Sequence, residues 1–276
     1  VASITGYPLL LVVPKNSVHR LWTTEEDTSS VCTVTVDGDY YQAIAMAEKI
    51  AARDGFVSEG GARNVARRDG MGTVMLDAVL TTKSLPQHYF QAVGSGTGGI
   101  SAWEASMRLI EDGRFGNNMP RLHLAQNLPC APLYSTWTGE VTNGNCPEEM
   151  YDDVLFNRKP PYGATGGVKD ALDDTNGIIY GITNKEADEA RKLFEENEGI
   201  DMLPAPAIAC AAIMKALEKG EIKADESIVL NITGGGQKRL EEDLSTRQLG
   251  VDLAVSPDDM DAENKILQKV AELLKN

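Results

Sequence analysis

The sequence predicts an α/β fold, with parallel-type sheets carrying helices on both faces. Three observations carry that expectation. Short apolar or β-branched runs alternate with amphipathic stretches of helical length along most of the chain, the pattern of strand–helix–strand crossovers. Gly-bearing turns follow several of those runs, at the strand ends where open parallel sheets bind ligands. No internal repeat or low-complexity tract interrupts the alternation.

Each element has its own signal. "VASITG" (1–6) reads as the last turn of a helix stopped by Gly6, so the chain is expected to open inside an element with something missing in front. "YPLLLVVP" (7–14) is a buried strand closed by Pro14, and "SVCTVTV" (30–36) is β-branched with period two. "DYYQAIAMAEKIAARDG" (39–55) is an amphipathic helix ended by Gly55. "GFVSEGG" reads as a short strand entering a Gly turn. "VARRDGMGTVMLDAVLT" (65–81) is a helix weakened by Gly70 and Gly72. "HYFQAV" (88–93), "RLHLAQ" (121–126), "GIIYGIT" (177–183) and "SIVLNIT" (227–233) read as strands. Helices are expected over 99–113, 184–198, 205–219 and near 262–275. The Pro- and Gly-rich stretch 129–167 is the longest irregular piece, and such pieces often furnish active sites.

Composition narrows the setting. The chain has 276 residues and a formal net charge of −15, which argues against a nucleic-acid partner because phosphate backbones demand a basic footprint. No apolar run approaches the ~18 residues of a membrane span, so no membrane partner is expected. Cys32, Cys130, Cys146 and Cys210 are scattered, without a paired spacing or a nearby His; this points to a reducing, cytoplasmic setting and to no metal site.

The chemistry concentrates in Gly-rich turns. "GSGTGG" (94–99) follows "YFQAV", "TGGGQK" (233–238) follows "IVLNI", and "EGGARN" (59–64) follows "GFVS". Bare backbone lets main-chain N–H groups approach an anion, and a helix N-terminus adds unpaired donors. Tight strand-to-helix packing also requires Gly, and that reading stays open for 94–99. The turn is not a dinucleotide fingerprint, since no acidic residue ends a second strand at the expected distance, and not a P-loop, since no Gly-Lys-Ser/Thr follows. Arg63, Arg67 and Arg68 crowd a helix start in an acidic protein, and Arg suits bidentate oxyanion recognition; surface pairing with Asp69 or Asp77 is the alternative. Lys15, His19 and Arg20 form a second basic cluster, with an exposed loop as the other reading. His88 and His123 read as structural.

Taken together, "YFQAVGSGTGG", "NEGIDMLPAPAIACAAIMKALEKGEI" (197–222) and "SIVLNITGGGQKRL" (227–240) resemble the large domain of fold-type II pyridoxal-phosphate enzymes, the tryptophan synthase β-like group. "SEGGARNVARRDGMGTVMLDAVL" (58–80), "HYFQAVGSGTGGISAWEASMRLIEDGRFG" (88–116) and "RKPPYGATGGVKDALDDTNG" (158–177) resemble, within that group, the cysteate synthase family of threonine synthase relatives. The resemblance implies two domains, with 1–62 the remnant of a small open-sheet domain and 63–276 the large cofactor-binding domain. It implies pyridoxal 5'-phosphate as cofactor, its phosphate on Gly94, Ser95, Gly96, Thr97, Gly98 and Gly99. Thr233 is expected to face the pyridine nitrogen and Glu198 the ring edge; a strand-ending β-branched residue and a solvated helix-end carboxylate are the plain alternatives. Arg63, Asn64, Arg67 and Arg68 are the expected substrate-binding residues.

The implied reaction is a β-replacement that converts O-phospho-L-serine and sulfite to L-cysteate and phosphate, a step of coenzyme M biosynthesis. The implied assembly is a homo-oligomer. Threonine synthase activity on O-phosphohomoserine, a non-catalytic fragment that binds phosphate or a partner, and a Rossmann-type nucleotide module are the competing readings. The family's Schiff-base lysine motif is not found in this chain. "VKD" (168–170) imitates it only superficially, falling after the Gly turn, so Lys169 is not nominated. The chain alone is therefore expected to be inactive.

Overall fold

The structure, a computed structural model, describes residues 2–142 and 149–275. In chain order it begins with α1 (Ala2–Thr5), β1 (Leu9–Pro14), a 3-10 turn over Lys15–Arg20, β2 (Trp22–Thr23), β3 (Val31–Val36) and α2 (Tyr40–Ala51). The middle holds α3 (Val65–Thr82), β4 (His88–Ala92), α4 (Thr97–Asp112), β5 (Arg121–Asn127), α5 (Pro132–Thr138) and α6 (Val168–Asp174). There follow β6 (Ile178–Ile182), α7 (Asn184–Glu198), α8 (Pro204–Glu218) and β7 (Ile228–Leu230). The last stretch is α9 (Gln237–Asp243), β8 (Arg247–Gln248), β9 (Leu253–Val255) and α10 (Ala262–Leu273). These elements form two compact units, one of residues up to Glu59 with those from Gln237 onward, the other Gly60–Gly236.

The first unit holds a parallel sheet in the order β1-β3-β9. Cys32, Val34 and Val36 of β3 are buried against Met46 and Ile50 of α2 and Ile266 and Val270 of α10. Asp39 starts α2 with a reciprocal capping box to Gln42, which satisfies two otherwise orphaned donors. The expected division assigned 237–276 to the large domain. In the structure these residues belong with the first unit, because β9 pairs with β3 and α10 covers it.

The second unit holds a four-stranded sheet in the order β6-β5-β4-β7, parallel throughout. Strand β4 is buried on both sides. Tyr89 and Val93 pack with Met75, Val79, Ile100 and Leu109 of α3 and α4, while Phe90 and Ala92 pack with Ala187, Ile208 and Ala212 of α7 and α8. Helices therefore cover both faces, and alternation on β4 carries a core on each side. Gly72 weakens α3 locally but lets it approach α4: a Cβ there would lie 3.3 Å from Ala105 Cβ and 3.4 Å from the Ser101 carbonyl.

The short strand expected after Gly55 does not form. Residues 56–60 have no regular structure, Val57 is exposed, and neither β1 nor β9 pairs with that segment. The stretch read as irregular contains α5, opened by Pro132 in its first turn, where a missing N–H costs nothing. Cys146 lies outside the described residues; Cys32 and Cys210 are free thiols, and Cys130 is buried.

Candidate cofactor site

Two of the three Gly turns leave the same sheet edge. Strands β4 and β7 are parallel neighbours, with Tyr89 opposite Val229 and Phe90 opposite Leu230, and the Asn231 N–H extends the ladder to the Phe90 carbonyl at 2.9 Å. The turn at 94–99 and the turn at 233–236 therefore start side by side at the carboxyl ends of adjacent strands. "EGGARN" follows no strand; it enters a 3-10 turn over Gly61–Arg63 that leads into α3.

The first turn combines both reasons for Gly. Gly96 is left-handed (φ 85°), and a Cβ there would lie 1.9 Å from Val168 Cγ2. A Cβ on Gly98 would lie 2.0 Å from Gln91 Nε2, and one on Gly99 2.7 Å from Leu124 Cδ2. Close packing of α4 on the sheet thus requires Gly98 and Gly99, while the left-handed turn and its contact with Val168 of α6 require Gly96. Gly94 is different: its φ is not left-handed, and the nearest atoms to a Cβ there are at ordinary contact distance, 3.8 Å. Helix α4 starts at Thr97 after Gly96, which has no side chain to cap its first donors, the kind of helix start that can take an anion. The Ser95 and Thr97 hydroxyls are hydrogen-bonded to each other at 2.8 Å beside them.

The second turn is pinned by the segment before α8. The Leu203 N–H donates to the Gly234 carbonyl at 3.1 Å and the Gly236 N–H to the Asp201 carbonyl at 2.9 Å. A Cβ on Gly235 would sit 2.5 Å from the Asp201 carbonyl oxygen, so main chain passes too close for any side chain. Strand β7 is shorter than the 227–233 expected: it ends at Leu230, and exposed Thr233 lies three residues beyond it. Glu198, the last residue of α7, is also exposed. The carboxylate that reaches this turn's partner segment is Glu195, whose Oε1 accepts from the Met202 N–H at 3.1 Å, Met202 being bridged to Gly235.

Several contributors were not singled out from the sequence. Leu155 and Asn157 lie against Gly94, at 3.8 and 4.0 Å from its Cβ position. Gln126, at the end of β5, donates to the Gly94 carbonyl at 3.2 Å and accepts from the Leu133 and Tyr134 N–H groups that open α5. Beneath the edge, Asn231 Nδ2 donates to the Tyr89 hydroxyl at 2.8 Å, which donates to Gln91 Oε1 at 2.7 Å. Burial raises the Tyr89 pKa, keeping it a neutral donor. Polar Gln91, in the middle of a strand buried on both sides, is the signal that could have exposed this chain.

The basic residues separate. Asn64 spends its side chain capping α3, accepting from the Arg67 N–H at 3.2 Å. Arg68 is largely buried against Glu104 at 3.1 Å and donates to the Ala62 and Gly166 carbonyls. Arg63 and Arg67 are exposed. Asp69, named above as an alternative partner for these arginines, pairs with Arg108 at 2.6 Å. In the first unit, exposed Lys15 pairs with Asp37 at 3.8 Å. His88 and His123 sit away from the edge in a buried chain. His123 Nε2 meets His88 Nδ1 at 2.9 Å, His123 Nδ1 meets the Tyr180 hydroxyl at 2.8 Å, and His88 Nε2 meets Glu226 at 3.1 Å. Burial, with His88 and Arg121 nearby, pulls His123 down to about 3, so it is neutral.

The donors at 94–99 suit a phosphate, and a hydroxyl in the segment that follows the neighbouring strand suits a heteroaromatic nitrogen; the residues present fit pyridoxal 5'-phosphate. Among the described residues, no group of three His, Cys, Asp or Glu side chains could hold a metal ion, and no helix is long and apolar enough to cross a membrane.

Comparison with known proteins points the same way. A cysteate synthase from Methanococcoides burtonii is 95% identical over 276 residues, all of this chain and 66% of that protein. One from Methanothrix thermoacetophila is 58% identical, across 92% of this chain and 63% of its own length. The chain thus spans just under two thirds of these relatives. Serine racemase from Dictyostelium discoideum shares the fold at a TM-score of 0.56 and 17% identity, over 85% of this chain and 70% of its own. The maize serine racemase does so at 0.56 and 13%, over 100% and 74%. The family model described as pyridoxal-phosphate dependent enzyme matches residues 1–234. With that match spread over most of both units, the chain belongs to the pyridoxal-phosphate dependent enzyme family.

Proposed function

We propose that this chain is the greater part of an enzyme that converts O-phospho-L-serine and sulfite to L-cysteate and phosphate, supplying a route to coenzyme M. The observation that carries the reading is the 95% identity, over all 276 residues, to a protein named cysteate synthase. The reaction balances without a redox partner. The Cβ–O bond breaks and phosphate leaves with its electron pair. The sulfite sulfur supplies the pair for the new Cβ–S bond. The proton taken from Cα is returned there.

Bound pyridoxal phosphate supplies an electron sink for charge developing at Cα. The chain's own residues then have separate tasks. The main-chain donors of Gly94, Ser95, Gly96, Thr97, Gly98 and Gly99 anchor the cofactor phosphate. The Thr233 hydroxyl, a neutral partner, leaves the ring nitrogen largely unprotonated, which suits elimination and replacement at Cβ. Glu198 stays in the reading as the ring-edge carboxylate. Exposed Arg63 and Arg67 attract the anionic substrates, while Arg68 and Asn64 shape the start of α3 beneath them. A homo-oligomer in the cytoplasm completes the proposal.

Incubation of the full-length protein with pyridoxal phosphate, O-phosphoserine and sulfite tests it, with this chain alone, expected to be inactive, as the control. Mass spectrometry should find cysteate, with one phosphate released per product. Threonine formed from O-phosphohomoserine, with no cysteate, overturns the substrate assignment. Cofactor binding without turnover by the full-length protein favours a non-catalytic binder.

A further inference from the structure

The hydrogen-bond chain under the sheet edge is left unused by the roles above. Tyr89 and Gln91 are two apart on β4 and share a face. Asn231 lies two beyond Val229, which is paired with Tyr89 and packs on the same side as α4. Tyr89 is 1% exposed and Gln91 4%. The phenol has one proton, spent on Gln91 Oε1, so Asn231 Nδ2 is the donor to the phenol oxygen. At one end the chain meets the first turn of α4, where Gly98 rests on the Gln91 amide. At the other end it meets the residue two before Thr233. No other described hydrogen bond of these side chains leads out of this line.

We propose that Tyr89 is a positioning residue: acting through Gln91 and Asn231, it sets the distance between the phosphate-binding and ring-binding turns. This rests on the cofactor reading above. A ligand that touches both turns depends on that distance, whereas a ligand that touches one does not. Tyr89→Phe removes the central hydroxyl and keeps the ring in the core. The loss of two buried hydrogen bonds should weaken a ligand spanning both turns about tenfold.

The test titrates pyridoxal 5'-phosphate and, separately, inorganic phosphate into the purified chain. It is followed by phosphorus NMR and, for the cofactor, by ring absorbance. In Tyr89→Phe, pyridoxal phosphate affinity should fall about tenfold with a shifted ring band, while inorganic phosphate changes less than twofold. Asn231→Ala should reproduce that split, and the double variant should lose no more than either single one, since they break one chain. The Asn231 variant carries the test if the Tyr89 variant does not fold. Equal losses for both ligands, or no loss for either, overturn the proposal while leaving the cofactor reading intact. A wild-type chain that binds neither ligand overturns both.

Discussion

At the scale of single residues, the six positions 94–99 divide by what a Cβ would meet. Gly98→Ala forces the buried Gln91 amide to move and should destabilise the second unit by about 1–3 kcal/mol, the range for overpacking. Gly94→Ala meets only ordinary contacts, so stability should stay within about 0.5 kcal/mol, while on the proposed cofactor reading the added methyl intrudes where the phosphate binds. Its affinity for pyridoxal phosphate should drop tenfold or more. Chemical denaturation and ligand titration of both variants check the contrast; a Gly94→Ala protein that binds normally argues that the turn serves packing alone. Arg68→Ala strands a largely buried Glu104 carboxylate and should cost about 3 kcal/mol, as for other broken buried pairs. That Gly-rich turns follow β4 and β7 on one sheet edge was legible in the sequence, because Gly signals are local. The engagement of Arg68 by Glu104 and the reach of Glu195 rather than Glu198 were not, since they depend on how α3 meets α4 and α7 meets the segment before α8.

At the scale of elements, β4 shows why periodicity found the strands so well. Parallel strands covered on both faces read as continuous apolar runs, and four of them carried the sheet order once paired. The short β9 and the segment at 56–60 reversed the expectation. Three residues suffice for a strand when β3 offers a ladder, whereas "GFVS" has no partner. The buried imidazole of β5 carries a pH prediction. His123 titrates near 3 in the folded chain against 6.5 unfolded. Between those values the unfolded state binds more protons, so stability falls as pH drops from 6.5 toward 3 and is unaffected above that window. Denaturant midpoints across that range should fall steadily in the wild type. In His123→Asn the acid limb should flatten even if the starting stability is lower.

At the scale of the molecule, the first unit is built from two distant stretches of chain. Removing residues 237–276 strips β9 and α10 and exposes Val34, Ile50 and their neighbours. The second unit keeps its own sheet and both its cores. Hydrogen exchange on a chain ending at Gly236 should therefore show lost protection in β1, β3 and α2 and retained protection in β4, β5 and β6. Uniform loss would mean the units do not fold separately. The sequence could not have shown this division, because no composition shift marks where the chain leaves the first unit or returns to it; only the pairing of β3 with β9 does.

That pairing also orders events at the ribosome. Every strand of the Gly60–Gly236 sheet has been synthesised before the first residue of β9. The opening stretch, with its β-branched Val31–Val36 run, must wait through the synthesis of the entire middle for the strand that closes its sheet. During that interval β3 has an unpaired flank, the kind of edge that a chaperone covers.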